Sequence, residues 1–282
     1  MGIVNVTPDS FSDGGLFLET DAAVSHGLEL AAQGADILDI GGESTRPGAE
    51  PVPVAEELRR VRPTIEALAA GAPDVQISID TSKAAVAKAA LDAGASFVND
   101  VTALRGDPEM AAVVAESGAD CCLMHMLGQP RTMQHEPRYV DVVDEVKSFL
   151  EERMAFAVGE SIARERILLD PGIGFGKTVE HNLELLRRLD ELVALGRPVL
   201  IGTSRKSFLG RIDGGSTRSR ACDESVPGVN PERLPATIAT NVLALERGAS
   251  VFRVHDVAPV AAALASATAT LTGKWTASEA MT

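Results

Sequence analysis

Eight short apolar runs recur along this chain, separated by segments with helical spacing. The runs lie near residues 2–6, 36–40, 76–80, 97–99, 121–125, 167–170, 199–202 and 251–254. Their apolar character is mostly continuous, as in strands buried on both faces. Helical patterns occupy 22–33, 54–70, 83–93, 109–117, 141–163, 179–195 and 235–247, and six of these seven stop at a glycine. Glycine can take the left-handed conformation that closes a helix C-terminus. Several stops run straight into the next strand as Gly-Ala, at Gly34-Ala35, Gly94-Ala95, Gly118-Ala119 and Gly248-Ala249. A strand–helix unit repeated eight times predicts an α/β fold, the closed (β/α)8 or TIM barrel. It would form a single domain over 1–272, with a C-terminal tail at 273–282. An open doubly wound sheet is the alternative architecture.

The 282 residues suit such a barrel, which takes about 250. Aromatics are only 4% of the chain against 45% hydrophobic residues, so Val, Ile, Leu and Ala must fill the core. The net charge of −14 argues against a general nucleic-acid or membrane surface. It also makes the local cations Arg205, Lys206, Arg253 and His255 stand out as a site for an anionic ligand. Cys121, Cys122 and Cys222 show no zinc spacing and read as reduced thiols. No leader peptide or spanning run is visible, which predicts a soluble, cytoplasmic protein.

Nearly every apolar run ends in a polar residue. Asn5, Asp80, Asn99, His125 and Asp170 close strands one, three, four, five and six, and Asp39 lies inside strand two. In a parallel barrel these ends converge on the C-terminal rim, where such folds do chemistry. Carboxylates are acceptor-only groups, so Asp80, Asn99 and Asp170 together suit a flat heterocycle rich in N–H donors. Each Asp could instead cap the helix that follows it. The segment Gly172-Ile173-Gly174-Phe175-Gly176-Lys177 fits neither the Walker nor the dinucleotide glycine spacing. Its glycines would let backbone lie beside a flat ligand, with Phe175 as a wall. Ser204-Arg205-Lys206-Ser207 and Arg253-Val254-His255 follow strands seven and eight, and loops there often hold phosphate. No nucleophile–base triad can be assembled. Three connections are long: Thr7–Thr20, Gly41–Pro53 and Asp213–Asn230. Connections of that length are functional or disordered.

Taken together, these segments resemble the dihydropteroate synthases, a family of pterin-binding barrels. The resemblance rests on Met1-Gly2-Ile3-Val4-Asn5-Val6-Thr7-Pro8-Asp9-Ser10-Phe11-Ser12-Asp13-Gly14-Gly15 and on Asp39-Ile40-Gly41-Gly42-Glu43-Ser44-Thr45-Arg46-Pro47-Gly48. It continues through Ser78-Ile79-Asp80-Thr81, Asn99-Asp100, Leu123-Met124-His125-Met126, the Asp170–Lys177 glycine loop, Ser204–Phe208 and Arg253-Val254-His255-Asp256-Val257. It implies a transferase of folate biosynthesis. 4-Aminobenzoate would displace pyrophosphate from 6-hydroxymethyl-7,8-dihydropterin diphosphate to give 7,8-dihydropteroate. It implies Mg2+ on the diphosphate with Asn5 as its protein ligand. Asp80, Asn99, Asp170 and Lys206 would hold the pterin beside Phe175. Arg253, Val254 and His255 would lie at the diphosphate, and Phe11, Thr45, Arg46, Pro47 and Ser207 at the aminobenzoate. Lys206, Arg253, Asp80 and Asp170 would carry the chemistry.

A homodimer through the last helices is also implied, as is competition by sulfonamides. Sensitive and drug-insensitive forms both remain open on these residues. Two features depart from the family pattern. The sequence starts directly at strand one, where the family usually has an earlier hairpin, so a truncated or a naturally short start is expected, and the 213–230 stretch is longer than is common. A pterin-binding methyltransferase shares the barrel and the Asp/Asn set but needs no diphosphate site, so Lys206 and Arg253-Val254-His255 argue against it. A non-catalytic pterin-binding relative would not need Asn5, Thr45, Lys206, Arg253 and His255 all intact.

Overall fold

The computed structural model of the chain describes residues 1–6, 16–45, 49–129, 132–212 and 233–274. Eight strands run through them: β1 (Gly2–Asn5), β2 (Ile37–Gly41), β3 (Gln76–Asp80), β4 (Phe97–Asp100), β5 (Asp120–Met124), β6 (Ile167–Asp170), β7 (Leu200–Ile201) and β8 (Val251–Phe252). The helices between and after them are α1 (Leu16–Ala32), α2 (Val54–Gly71), α3 (Ala84–Asp92), α4 (Met110–Ser117), α5 (Val142–Gly159), α6 (Val179–Arg187), α7 (Leu189–Val193), α8 (Ser207–Ile212), α9 (Leu234–Glu246) and α10 (Val257–Thr272).

Strands β1 to β6 form one parallel sheet in sequence order, and β7 pairs with β8 in parallel. Single parallel bridges, Leu169 to Val199 and Gly2 to Val254, join the two sheets at both ends. At the second seam the Ile3 N–H donates to the Val254 carbonyl at 3.0 Å, and the Val254 N–H donates to the Met1 carbonyl at 2.9 Å. Each strand therefore neighbours the next in sequence, and β8 neighbours β1, as the barrel topology requires.

The glycine stops close α1, α3, α4, α7 and α9 as expected: Gly34, Gly94, Gly118, Gly196 and Gly248 all have positive φ. At α2 the reason differs. Gly71 is the last helical residue, and a Cβ there would come within 3.0 Å of Leu28 on α1. Two expected helices are divided or shortened. The 179–195 pattern breaks at Arg188, whose guanidinium reaches across to Asp141 at the start of α5. The 141–163 pattern ends at Gly159, and Ser161 with φ 72° turns the chain into a short 3-10 helix at Arg164–Arg166. Helices α8 and α10 lie beyond the seven helical patterns. The long stretches 7–15, 46–48 and 213–232 lie outside the described residues.

Burial divides into three apolar clusters, two of which are the layers of the barrel wall and interior. The large one lies between the outer face of the strands and the helices and includes Val4, Leu38, Ile40, Ile65, Leu68, Ile79, Val98, Leu123, Leu150 and Leu169. The small one fills the barrel interior with Met1, Phe97, Cys122 and Leu200, packed against Ile37, Leu168 and Val251. Side chains alternate along a strand, so positions two apart share a face. Two residues beyond Ile37, Phe97, Leu168 and Val251 come Asp39, Asn99, Asp170 and Arg253. The barrel interior therefore changes from apolar to polar within one repeat of each strand, and that polar layer is the floor of the site.

Candidate active site

Strand register builds the first part of the site. Asn5 pairs with Gly41, Gly41 with Asp80, and Asp80 with Asn99, so four consecutive strands present one row. Gly41 leaves a gap in that row. A Cβ there would stand 3.8 Å from Asn5 Oδ1 and 3.8 Å from Asp80 Oδ2. Two oxygens thus border a space that any other residue would fill.

Arg253, just after β8, crosses the interior. Its Nε donates to Asp39 Oδ2 at 2.6 Å and its Nη2 to Asp80 Oδ2 at 2.8 Å. Burial pushes the Asp80 carboxyl up to about 7 against the pull of Arg253. The Arg253 guanidinium is held firmly charged by the two carboxylates, which outweigh its own burial. Asp80 does not cap α3; the residue at that N-cap is Lys83. Nor does Asp170 cap α6, where Thr178 and His181 form the capping box. Asp170 Oδ1 instead accepts the Gly172 N–H at 2.7 Å, turning the chain into the glycine loop, and burial raises its pKa to about 6.

That loop is wedged against β5. A Cβ on Gly172, at φ 67°, would stand 1.9 Å from the His125 carbonyl oxygen, so only glycine fits. Lys177 locks the same junction from inside: its Nζ lies 2.8 Å from His125 Nδ1 and donates to the Phe175 carbonyl at 3.0 Å. Burial lowers Lys177 to about 7, and burial plus the nearby Lys177 charge lowers His125 to about 2. His125 is therefore a neutral structural ring, with Phe149 packed edge-on at 4.9 Å.

Lys206 extends over the loop so that its Nζ sits 4.0 Å from the Phe175 ring centroid, a cation–π distance. Gly174 makes room, since a Cβ there would be 3.2 Å from Lys206 Cδ. Burial lowers Lys206 to about 8, with Arg253 acting in the same direction and Asp170 and Asp80 opposing. An apolar rim of Val101, Met124, Met126 and Met133 packs with Phe175. The result is a slot with carboxylates and an amide on its floor, a ring and thioethers at one side, and a lysine above.

The two cations read together in sequence diverge. Arg205, at φ 59°, turns to Asp256 at the N-terminus of α10, with Nη2 to Oδ1 at 2.6 Å and Nε to Oδ2 at 3.0 Å. Only Lys206 joins the slot. His255 lies beside it through Ser204: Ser204 Oγ accepts the His255 N–H at 3.1 Å and stands 3.0 Å from Nδ1. Val254 departs from the expected substrate contact. Strand alternation turns its side chain into the helix-facing layer, and its backbone groups bond to those of Met1 and Ile3. Thr45 is half-buried at the start of the connection after β2, and Ser207 is exposed at the first position of α8. Phe11, Arg46 and Pro47 lie outside the described residues.

The sequence reading names two further participants, Asp39 and Lys177, without giving either a role of its own in the site. Asp39 is fully buried and bonded to Ser78, Asn99 and Arg253, and Lys177 is almost as buried. A signal existed for each: a carboxylate inside the run Ile37-Leu38-Asp39-Ile40, and a lysine closing a glycine loop without phosphate-loop spacing.

The model of the pterin binding enzyme family matches residues 1–255. The dihydropteroate synthase of Escherichia coli K12 is 45% identical over 275 residues, covering 97% of this chain and 92% of that protein. A probable bifunctional folylpolyglutamate synthase/dihydropteroate synthase of Haloferax volcanii is 48% identical over 271 residues, 94% of this chain, and the chain spans 30% of its length. Among solved structures, Xanthomonas albilineans dihydropteroate synthase with 4-aminobenzoic acid superposes with a TM-score of 0.85 at 48% identity, covering 96% of this chain and 92% of that one. The same enzyme in complex with 7,8-dihydropteroate gives 0.82 at 45%, with the same coverage. The Yersinia pestis dihydropteroate synthase with a sulfonamide drug gives 0.86 at 43%, covering 96% and 93%.

Proposed function

The chain belongs to the pterin binding enzyme family, among the dihydropteroate synthases, and on that premise we propose how its residues carry out the condensation. The enzyme joins 6-hydroxymethyl-7,8-dihydropterin diphosphate to 4-aminobenzoate. The amine lone pair forms a bond to the pterin methylene carbon, the carbon–oxygen bond to the diphosphate breaks, pyrophosphate leaves, and the new secondary amine loses a proton to solvent. The observation that carries this reading is the convergence of Asp80, Asn99 and Asp170 with Lys206 and Arg253 at one barrel mouth.

The pterin sits in the slot with its N–H edge on the acceptors. Asp170 and Asp80 take its donors as carboxylates, and Asn99 adds a third acceptor. Lys206 lies over the ring opposite Phe175. The diphosphate extends toward Arg253, whose Nη1 carries no hydrogen bond among the described residues, and toward His255. Negative charge grows on the leaving oxygen as the bond breaks, so cations aimed there lower the barrier more than they stabilise the bound substrate. Among the described residues the site pairs no carboxylate with a histidine as a base dyad, and the amine needs none if bond cleavage runs ahead of attack.

Among the described residues no group of three His, Cys, Asp or Glu could hold a metal. Mg2+ retains water and substrate phosphate oxygens and needs only one or two oxygens from the protein. Asn5 Oδ1, beside the space above Gly41, would supply one. When bound, Mg2+ adds further charge stabilisation to the departing diphosphate. Thr45 and Ser207 would border the aminobenzoate, where a sulfonamide would compete; Phe11, Arg46 and Pro47, outside the described residues, are assigned to the same substrate from the sequence resemblance alone.

Residues 1–272 act as one barrel unit. A second copy docks on α9 and α10: Leu243 and Leu271 are exposed, and α10, rich in Ala, Val and Leu, buries only Val257 and Val260. No helix of the described residues is long and apolar enough to cross a membrane, and the buried free thiols of Cys121 and Cys122 fit a reducing cytoplasm. The test is pyrophosphate release by the purified protein. It should require both substrates together. Tight pterin binding with no release would assign the chain to non-catalytic pterin binding instead.

A further inference from the structure

Asp39 is the most heavily used carboxylate of the barrel interior, yet it is fully buried and cannot touch a ligand in the mouth. Its Oδ1 accepts the Ser78 hydroxyl at 2.6 Å. Its Oδ2 accepts Asn99 Nδ2 at 3.0 Å and Arg253 Nε at 2.6 Å. Side chains from β3, from β4 and from the residue after β8 thus converge on one side chain of β2. The consequence for Asn99 is chemical as well as steric. A side-chain amide has a donor end and an acceptor end. Asp39 offers only acceptors to it, so the amide nitrogen must face Asp39 and Oδ1 must face away. Among the described residues Asn99 Oδ1 has no hydrogen-bond partner, and it is not a sealed, unsatisfied atom.

We propose that Asp39 is a positioning residue that fixes the amide orientation of Asn99 and the reach of Arg253 together, so that the mouth presents an acceptor at Asn99 to the N–H edge of the pterin. This rests on the pterin-binding reading above. It gives the polarity of the slot a physical origin one layer beneath it. Without Asp39 the Asn99 amide can turn over and offer N–H to a ligand edge that already carries N–H.

The test is titration calorimetry with the pterin diphosphate, without aminobenzoate, on the full chain. Wild-type binding is read first; its absence would defeat the function reading and leave this one aside. Asp39→Leu keeps about the same shape and removes every acceptor, so the Asn99 amide is free to turn, and pterin affinity should fall about tenfold or more. The aminobenzoate KM should stay unchanged while kcat falls. Asp39→Asn can keep its amide oxygen on Asn99 Nδ2 and Arg253 Nε and donate its N–H to the Ser78 hydroxyl oxygen. It should bind the pterin about tenfold tighter than Asp39→Leu. Loss of packing alone would not separate two side chains of similar shape. If Asp39→Leu does not fold, Asp39→Ala takes its place in the comparison. Wild-type pterin affinity in a folded variant that lacks the acceptor, or Asp39→Asn binding no tighter than that variant, overturns the proposal.

Discussion

The two parts of the barrel are held by different means. From β1 to β6 the strands pair over three to five residues at each interface. The β7–β8 pair has two residues in register and is tied to the rest by a single bridge on each side. The chemistry divides along the same line. The acceptors Asp39, Asp80, Asn99 and Asp170 stand on the long ladders, and Lys206, Arg253 and His255 follow the short strands. A flat heterocycle read by hydrogen bonds demands acceptors fixed within a few tenths of an ångström. A diphosphate that separates from its carbon is better followed by cations on less constrained backbone. What the ladder omits between β8 and the remainder, Arg253 supplies with side-chain bonds to Asp39 and Asp80.

The strongest way to break this division is Arg253→Ala. It removes the cross-link and leaves two buried carboxylates without their cation, which costs about 3–5 kcal/mol when a buried pair loses one partner. Urea unfolding should show that loss, and kcat/KM for the pterin diphosphate should fall by at least about 10². Stability within about 1 kcal/mol of wild type would show that the backbone alone closes the barrel.

Lys206→Ala separates function from structure on the same side. It should lower kcat/KM by about 10²–10³, the usual cost of one charge-stabilising group. Stability should move the other way. The folded-state pKa of Lys206 lies below its ordinary 10.5, at about 8. Holding it protonated therefore penalises the fold, increasingly as pH falls from 10.5 toward 8 and fully below that. The alanine variant should be more stable than wild type at pH 7, with the difference shrinking toward pH 10. In the wild type, kcat/KM should rise through about pH 6 to about pH 7 as Asp170 and Asp80 ionise and decline above about pH 8 as Lys206 loses its proton. A flat profile across that range would remove these groups from the pterin site.

The smallest effect sharpens the comparison without mutation. Backbone amides of Leu200–Ile201 and Val251–Phe252 should exchange hydrogen faster than those of β2 to β5, because fewer ladder bonds must open. Equal protection would place the two parts in one cooperative unit.

Much of the fold was legible because burial on both faces leaves continuous apolar runs and helix ends leave glycines. Strand positions follow within a few residues, from Ile37–Gly41 to Val251–Phe252. The split at Arg188 was not legible, since it depends on Asp141, 47 positions away in the chain. In the site, Asp80, Asn99 and Asp170 were legible as polar ends of apolar runs. Arg205 and Lys206 looked alike because charge and spacing are the same for both. Only the backbone at φ 59° and the presence of Asp256 sent one to the rim and the other over Phe175.

By itself, then, the amino-acid order determined the repeat, the parity of each strand and the set of polar residues that parity could bring to the mouth. Local sterics and side-chain alternation need no distant partner. The tertiary structure alone decided which carboxylate meets which cation. Hydrogen bonds such as Arg253 to Asp39 join residues 214 positions apart, and they exist only once the first and last strands stand side by side.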